Sequence, residues 1–329
     1  MRICLTPRVG SGGPASFQLR LMTEFQRLGV ETTFDLASRP LDAVLVFSGT
    51  RELGLLRKCR HEKIRIVQRL DGINWMHRIS PRALRHFLRA EAYNLLLRVI
   101  RSSLADRIIY QSQFSRNWWE NWFGAPGVEA CVINNGVPLD DYIIRKDLHD
   151  GTLLIVEGAL PHDEYLKALL AAANRQLVNR GPLARMQIMG SVDSAWEGEW
   201  IRFNPIPTVA GLRPYAEVRA SQAQAAIFLS IEPNPPCPNA VIEAMAAGLP
   251  VIGFDTGSLR DLVGRGGEVV TFEGDPWRLE IPRNLEEIGE AGRQVFANWA
   301  SYSQAARMEA EARFDIRETA RAYCEVLKG

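Results

Sequence analysis

Short apolar, β-branched runs alternate with stretches of helical periodicity along the first half of the chain. RICLT, TTFDLA, AVLVFS, IRIVQRL, RIIYQS and EACVINNG each read as a strand, with room for a helix between neighbours. The polar stretch VINNGVPLDDYIIRKDLHDGT follows. The rhythm then restarts with TLLIVEG, RMQIMGS, WIRFNPI, AAIFLSIE, PVIGFD and GEVVTF. Strands that alternate with helices favour parallel, doubly wound sheets with helices on both faces. The pattern therefore predicts an α/β chain of two Rossmann-like domains, residues 1–148 and 149–305, facing an interdomain cleft. The chain from about Leu285 onward reads as helical, and its last part, 306–329, is expected to pack back on the first domain. In open parallel sheets ligands lie beyond the carboxyl ends of the strands, so the loops there are where chemistry is sought.

One long helix stands out. Ser80 and Pro81 read as its N-cap and first residue, with Leu84, Leu88, Ala92 and Leu95 on one face. Arg82, Arg85 and Arg89 fall on the opposite face, which is either solvated or a surface for an anionic acceptor or anionic lipid headgroups. NWWENWFG spaces Trp118, Trp119 and Trp122 for core packing, or for contact with a membrane edge.

Composition narrows the class. At 329 residues, 47% hydrophobic and 23% charged, the chain is that of an ordinary two-domain globular protein. No run of 18 apolar residues could span a bilayer, and the opening MRICLTPRVGSGG lacks a secretory apolar stretch. Five cysteines without CxxC spacing suit free thiols in a reducing cytoplasm. The reading is thus cytoplasmic, soluble or membrane-peripheral. Net charge is +1, yet residues 1–148 hold 22 Lys+Arg against 14 Asp+Glu and residues 149–329 hold 17 against 24. A basic first half suggests an anionic partner or docking between halves, and no basic run is dense enough for nucleic acid.

Four loops could carry chemistry. In VGSGGPASF, Gly10, Gly12 and Gly13 precede a helix, where backbone amides suit a phosphate, although a tight turn explains them too. QRLDG puts Arg69 and Asp71 at a strand end, where a carboxylate can take a hydroxyl's proton and an arginine can pair with an anion. Asp71 could equally cap its loop. EPNPPCPNAVIEAMAAGLP stiffens a loop with prolines before a helix for which Asn239 reads as N-cap. Glu243, four residues past that cap, does not fit a capping box and would serve to bind neutral hydroxyls. Finally PVIGFD runs into Thr256, Gly257 and Ser258 at another helix start.

The stretch PCPNAVIEAMAAGLPVIGFDTGSLRDLV resembles the carboxyl-terminal signature of GT-B glycosyltransferases of family four. GSGGPASF is similar to that family's glycine loop, and ADRIIYQSQFSRNWWENWFG with VINNGVPLDDY to its segment before the linker. The resemblance covers nearly the whole chain. It implies transfer of a sugar from a nucleotide diphosphate donor, UDP- or GDP-linked, to a hydroxyl acceptor with retention at the anomeric carbon. It implies ribose binding by Glu243, diphosphate binding by amides of Asn239, Ala240, Val241, Gly12 and Gly13, and Pro207 near the base, with Gly257 and Ser258 also on the donor side. Two departures stand against the pattern. Pro235 occupies the position of the motif's first glutamate, with Glu232 three residues away, and EGALPHDEYLK lacks the usual Arg and Lys for the diphosphate. Arg69 or Arg260 could compensate. No DxD and no histidine spacing suit a metal, so no cofactor is expected. The alternatives are a nucleotide-sugar binding protein without transfer and a GT-B nucleotide-sugar epimerase.

Overall fold

The computed structural model describes residues 1–10, 12–79, 84–144, 147 and 151–328. It divides into two compact units, residues 1–136 with 316–329, and residues 137–315.

In the first unit, strands β1 (Arg2–Thr6), β2 (Glu31–Thr33), β3 (Ala43–Phe47), β4 (Arg65–Leu70), β5 (Arg107–Tyr110) and β6 (Glu129–Val132) form one parallel sheet. Their order is β2-β1-β3-β4-β5-β6. Alternation along each strand feeds two cores. Ile3, Leu5, Leu45 and Phe47 face one side with Phe17 and Tyr323, while Cys4, Val44, Val46 and Ile66 face the other with Leu56 and Cys59. Helices on both faces explain why β3 is buried at every position. These helices are α1 (Gly12–Arg27), α2 (Leu53–His61), α3 (Met76–Ile79), α4 (Leu84–Ser103) and α5 (Gln113–Phe123).

The second unit contains β7 (Thr152–Leu160), β8 (Arg185–Val192), β9 (Thr208–Gly211), β10 (Ile227–Leu229), β11 (Val251–Phe254) and β12 (Gly267–Val270). They too are parallel, in the order β12-β11-β10-β7-β8-β9. Around them lie α6 (Glu164–Ala173), α7 (Tyr215–Gln224), α8 (Asn239–Ala246), α9 (Leu259–Val263), α10 (Glu287–Ala297) and α11 (Trp299–Arg313). The last helix, α12 (Ile316–Lys328), belongs to the first unit, where Tyr323 meets Phe17.

Several expectations are corrected. The polar stretch that reads as a linker around residue 148 begins inside the second unit: Leu139 and Tyr142 are buried in its core, and the Val137 amide bonds the Phe314 carbonyl. Residues 306–315 also stay there, because Ala306, Ala310 and Phe314 are fully buried against α8 and its neighbours. WIRFNPI is not a strand. Its first three residues make a 3-10 turn that lets Trp200 stack on Trp196 at 4.6 Å, and the edge strand is Thr208–Gly211 instead. Pro238, not Asn239, holds the cap position of α8, and Asn239 is its first residue. The leucine face of α4 points outward, while Asn94, Leu97, Ile100 and Arg101 are buried. The Ser80–Pro81 cap and Arg82 lie outside the described residues. Trp118 and Trp119 are core residues, with Trp122 37% exposed. All five cysteines are unbridged.

Candidate active site

Each sheet has a switch point, where successive connections leave in opposite directions: between β1 and β3 in the first unit, between β7 and β10 in the second. Nearly all the side chains singled out by sequence lie on the carboxyl side of these sheets.

In the first unit the glycine loop is tied to its own helix. Gln18 Nε2 donates to the Pro7 carbonyl at 3.0 Å, and its Oε1 accepts the Val9 amide at 2.9 Å. Gly12 opens α1 at φ +78°, which only glycine adopts without strain, and Gly13 continues the first turn. A helix start concentrates N–H donors and the positive end of the helix dipole, both favourable to an anion.

Asp71 follows β4 directly. Its Oδ1 accepts the Ser48 hydroxyl at 2.6 Å, and its carbonyl accepts Ser115 Oγ at 2.9 Å and Trp119 Nε1 at 2.7 Å. Ser48 is fixed in turn, since its carbonyl takes Gln68 Nε2 at 2.6 Å. The carboxylate is therefore half-buried and aimed, with one oxygen engaged. Tyr93 shares its surroundings: burial, and then the charge of Asp71, push the Tyr93 hydroxyl above its ordinary range.

Arg69 does not line this site. It is 1% exposed, packed over the rings of Phe17 at 4.6 Å and Phe47 at 5.3 Å, and donates to Asn135 Oδ1 at 2.7 Å. As an alternating position on β4 it points into the core, which rules out direct contact with a substrate in this conformation. It supports the segment that ends in Asp71.

In the second unit the proline loop is joined to the turn after β11. The Pro235 carbonyl accepts both the amide and the hydroxyl of Ser258, each at 2.9 Å, and the Asn234 amide reaches Thr256 Oγ1 at 3.3 Å. Gly257, at φ +61°, approaches so closely that a Cβ there would lie 2.4 Å from the Pro235 nitrogen. Ser258 is buried and its two donors serve this clamp, so it holds the loop rather than a ligand. At the start of α8, Asn239 and Ala240 are half-buried, whereas Val241 is in the core. Glu243 is 6% exposed, a carboxylate enclosed in a helix that is otherwise apolar after Asn239. Pro207 is buried beside the exposed Ile206.

Sequence reasoning missed Glu157. It sits in β7 where the register against β8 shifts between Val156 and Ala159, and such a bulge redirects a side chain. Gly190 at φ +146° accommodates it, because a Cβ there would lie 2.0 Å from the Glu157 carbonyl oxygen. β7 is the neighbour of β10, whose following loop carries Glu232. Enclosure, and then the charge of Glu232, hold the Glu157 carboxyl well above the usual range. Glu232 is open to solvent on one side but surrounded by protein on the rest, which pushes its carboxyl up to about 7. The signal in the sequence was a lone acid closing the apolar run TLLIVE.

The expected substitute Arg260, like the lysine of EGALPHDEYLK, is already paired within the second unit. Arg260 donates to Asp255 at 2.5 Å and to the Val269 carbonyl at 2.9 Å, and Lys167 pairs with Glu164 at 2.8 Å. Among the described residues no group of three or more His, Cys, Asp or Glu side chains is placed to hold a metal ion.

Residues 151–280 match the family model for glycosyl transferases group 1. No curated protein sequence matches. Among solved structures, sucrose-phosphate synthase from Thermosynechococcus elongatus is similar at a TM-score of 0.76 and 14% identity, covering 99% of this chain and 98% of that one. Anabaena Alr3699/HepE in complex with UDP and glucose is similar at 0.68 and 16%, covering 99% of both. AviGT4, a glycosyltransferase involved in avilamycin A biosynthesis, follows at 0.62 and 18%, covering 99% and 97%. The chain has the GT-B fold, and its residues 151–280 match the model for glycosyl transferases group 1.

Proposed function

We propose that this protein moves a hexosyl group from a nucleotide diphosphate to a hydroxyl acceptor, with retention and without an obligatory metal. The observation that carries the reading is the carboxylate pair Glu157 and Glu232, set beside the start of α8 at the switch point of the second unit. Two acids that resist ionising stay partly protonated near neutral pH. Such a pair both donates to and accepts from sugar hydroxyls, without placing two full negative charges beside a diphosphate. It takes over the task left vacant by Pro235. The structure of HepE with UDP and glucose supports a donor of this kind.

On the same unit, the amides of Asn239 and Ala240 receive the diphosphate and Glu243 holds the ribose. On the first unit, Asp71 orients the acceptor hydroxyl and takes its proton, with Ser48 fixing the carboxylate. The basic first unit faces an anionic acceptor or an anionic membrane in the cytoplasm, not nucleic acid.

A second reading, nucleotide-sugar binding without transfer, is favoured by one observation: Arg69, Arg260 and Lys167 are all engaged within the protein. Fewer cations mean less stabilisation of the leaving diphosphate. Incubating the protein with UDP- and GDP-sugars and a panel of hydroxyl acceptors separates the two. Product formation, lost in Asp71→Asn, supports transfer; nucleotide binding without hydrolysis or transfer supports the second reading. Thermal stabilisation by UDP and GDP, reduced alike in Glu243→Ala, tests the ribose assignment.

A further inference from the structure

Helix α4 carries leucines on the side facing away from the core. Leu84, Leu88 and Leu95 are 72%, 58% and 59% exposed. At roughly 100° per residue these three fall within about 40° of one another, nearly opposite the buried set of Asn94, Leu97, Ile100 and Arg101. Leu84 and Leu88 adjoin one another and Leu95 lies two turns on, past Glu91 and Ala92, so the row spans about 16 Å. Exposed leucines gathered on one side of a helix suit a surface that is covered in use.

Next to these leucines the chemistry changes to cationic. Arg85, His86 and Arg89 of α4, with Arg51 from the turn before α2, line a cavity of about 520 Å³. It adjoins one of about 620 Å³ to which Asn74 and Tyr93 contribute. Among the described residues no carboxylate lines either cavity. Glu91, the acid of the same helix, is taken by His77 at 2.7 Å and Arg78 at 2.6 Å. Charges of one sign around a concave surface focus their field on an incoming anion. Divided at the observed boundary, the first unit holds 23 Lys+Arg against 13 Asp+Glu, and the second 16 against 25. The basic character thus belongs to the unit that bears the cavity. Nearby, Met76 and Ile79 of α3 are 41% and 36% exposed, and Arg78 covers the ring of half-exposed Trp122 at 4.7 Å.

We propose that this face docks on an anionic membrane surface: Arg51, Arg85, His86 and Arg89 take lipid headgroup phosphates, and Leu84, Leu88 and Leu95 enter the acyl boundary. A soluble phosphate would account for the cavity but leave the leucines in water. A second copy would cover the leucines but bring its own arginines against these. An anionic bilayer satisfies both halves of the surface. The inference specifies the peripheral contact in the reading above and requires no transfer chemistry.

Co-sedimentation with vesicles tests it. Wild-type protein is expected to bind phosphatidylcholine vesicles containing phosphatidylglycerol, to release them as salt rises, and to ignore phosphatidylcholine alone. Arg85→Gln with Arg89→Gln should weaken binding on the order of thirtyfold, and Leu84→Gln with Leu88→Gln and Leu95→Gln at least tenfold. All five positions are exposed, so the variants should keep the wild-type melting temperature and the wild-type UDP-induced shift. That shift reports the donor site of the second unit, so its absence in wild type would refute the donor reading and leave the vesicle result intact. Equal binding to both vesicle types overturns the proposal. So does binding that survives the leucine substitutions while inorganic phosphate stabilises wild type but not the arginine variant, which would mark a soluble-anion pocket. Dimerisation that the leucine substitutions abolish would overturn it in favour of a second copy.

Discussion

Ser258 gives both its donors to one acceptor, the carbonyl of Pro235, at 2.9 Å from amide and hydroxyl alike. The proline loop after β10 and the glycine turn after β11 are thereby one rigid body. The prolines restrict the loop locally, and the clamp sets where it lies.

Breaking that clamp should loosen the donor side before it unfolds the unit. Ser258→Ala is expected to cost about 1–2 kcal/mol, since the buried Pro235 carbonyl loses the hydroxyl and keeps only the amide as a partner. Gly257→Ala should cost more, about 2–4 kcal/mol, because its positive φ and the contact with Pro235 both resist a Cβ. Urea unfolding measures each loss, and UDP affinity should fall in the same order. Equal stability of the two variants would show that the loop has room to move.

Asp71→Asn keeps the shape but removes the base. Turnover of a transferable donor should fall about 10²–10⁴-fold with UDP affinity unchanged. Ser48→Ala, which removes only the 2.6 Å bond, should cost about tenfold. A rise in KM alone with kcat intact would show that Asp71 binds rather than reacts.

The Glu157 and Glu232 pair predicts a pH trend. Both carboxyls lie above their ordinary 4.5 in the folded protein, Glu232 at about 7, so between these values the folded state holds more protons than the unfolded one. Stability from this pair is therefore full below about pH 4.5 and declines as pH rises toward 7. Urea unfolding at a series of pH values should show that slope in wild type and a flatter one in Glu232→Gln. An unchanged slope would separate the two acids.

Glu91 predicts the opposite sign. The Arg78 hydrogen bonds, aided by that of His77, hold its carboxyl down to about 2 against burial. Its contribution is present above the ordinary 4.5 and lost as pH falls toward 2. Glu91→Gln should lower stability by about 1–2 kcal/mol at neutral pH, allowing for partial exposure, and by almost nothing near pH 2. It should also free α3 from α4, which limited proteolysis near Arg78 would reveal.

Periodicity and loop chemistry by themselves determined that this chain builds two successive parallel sheets, and which glycine and proline loops at strand ends are candidates for its chemistry. Those features are local: a strand alternates, a helix repeats, and a proline restricts its own neighbourhood. Asp71 and the α8 start were legible for the same reason. What only the tertiary structure decided depends on which side of an element meets another. Arg69 is next but one to Asp71 yet is buried in the core, because it still lies within β4, where Phe17 and Phe47 close over it, whereas Asp71 stands beyond the strand's end. Ser258 looked like a ligand donor until Pro235 took both its hydrogen bonds. Periodicity puts the leucines of α4 on one face without saying what that face meets, and Leu97 and Ile100 fill the core instead. Glu157 could not be paired with Glu232 in the sequence, since 75 residues separate them and only the pairing of β7 with β10 brings their strands side by side.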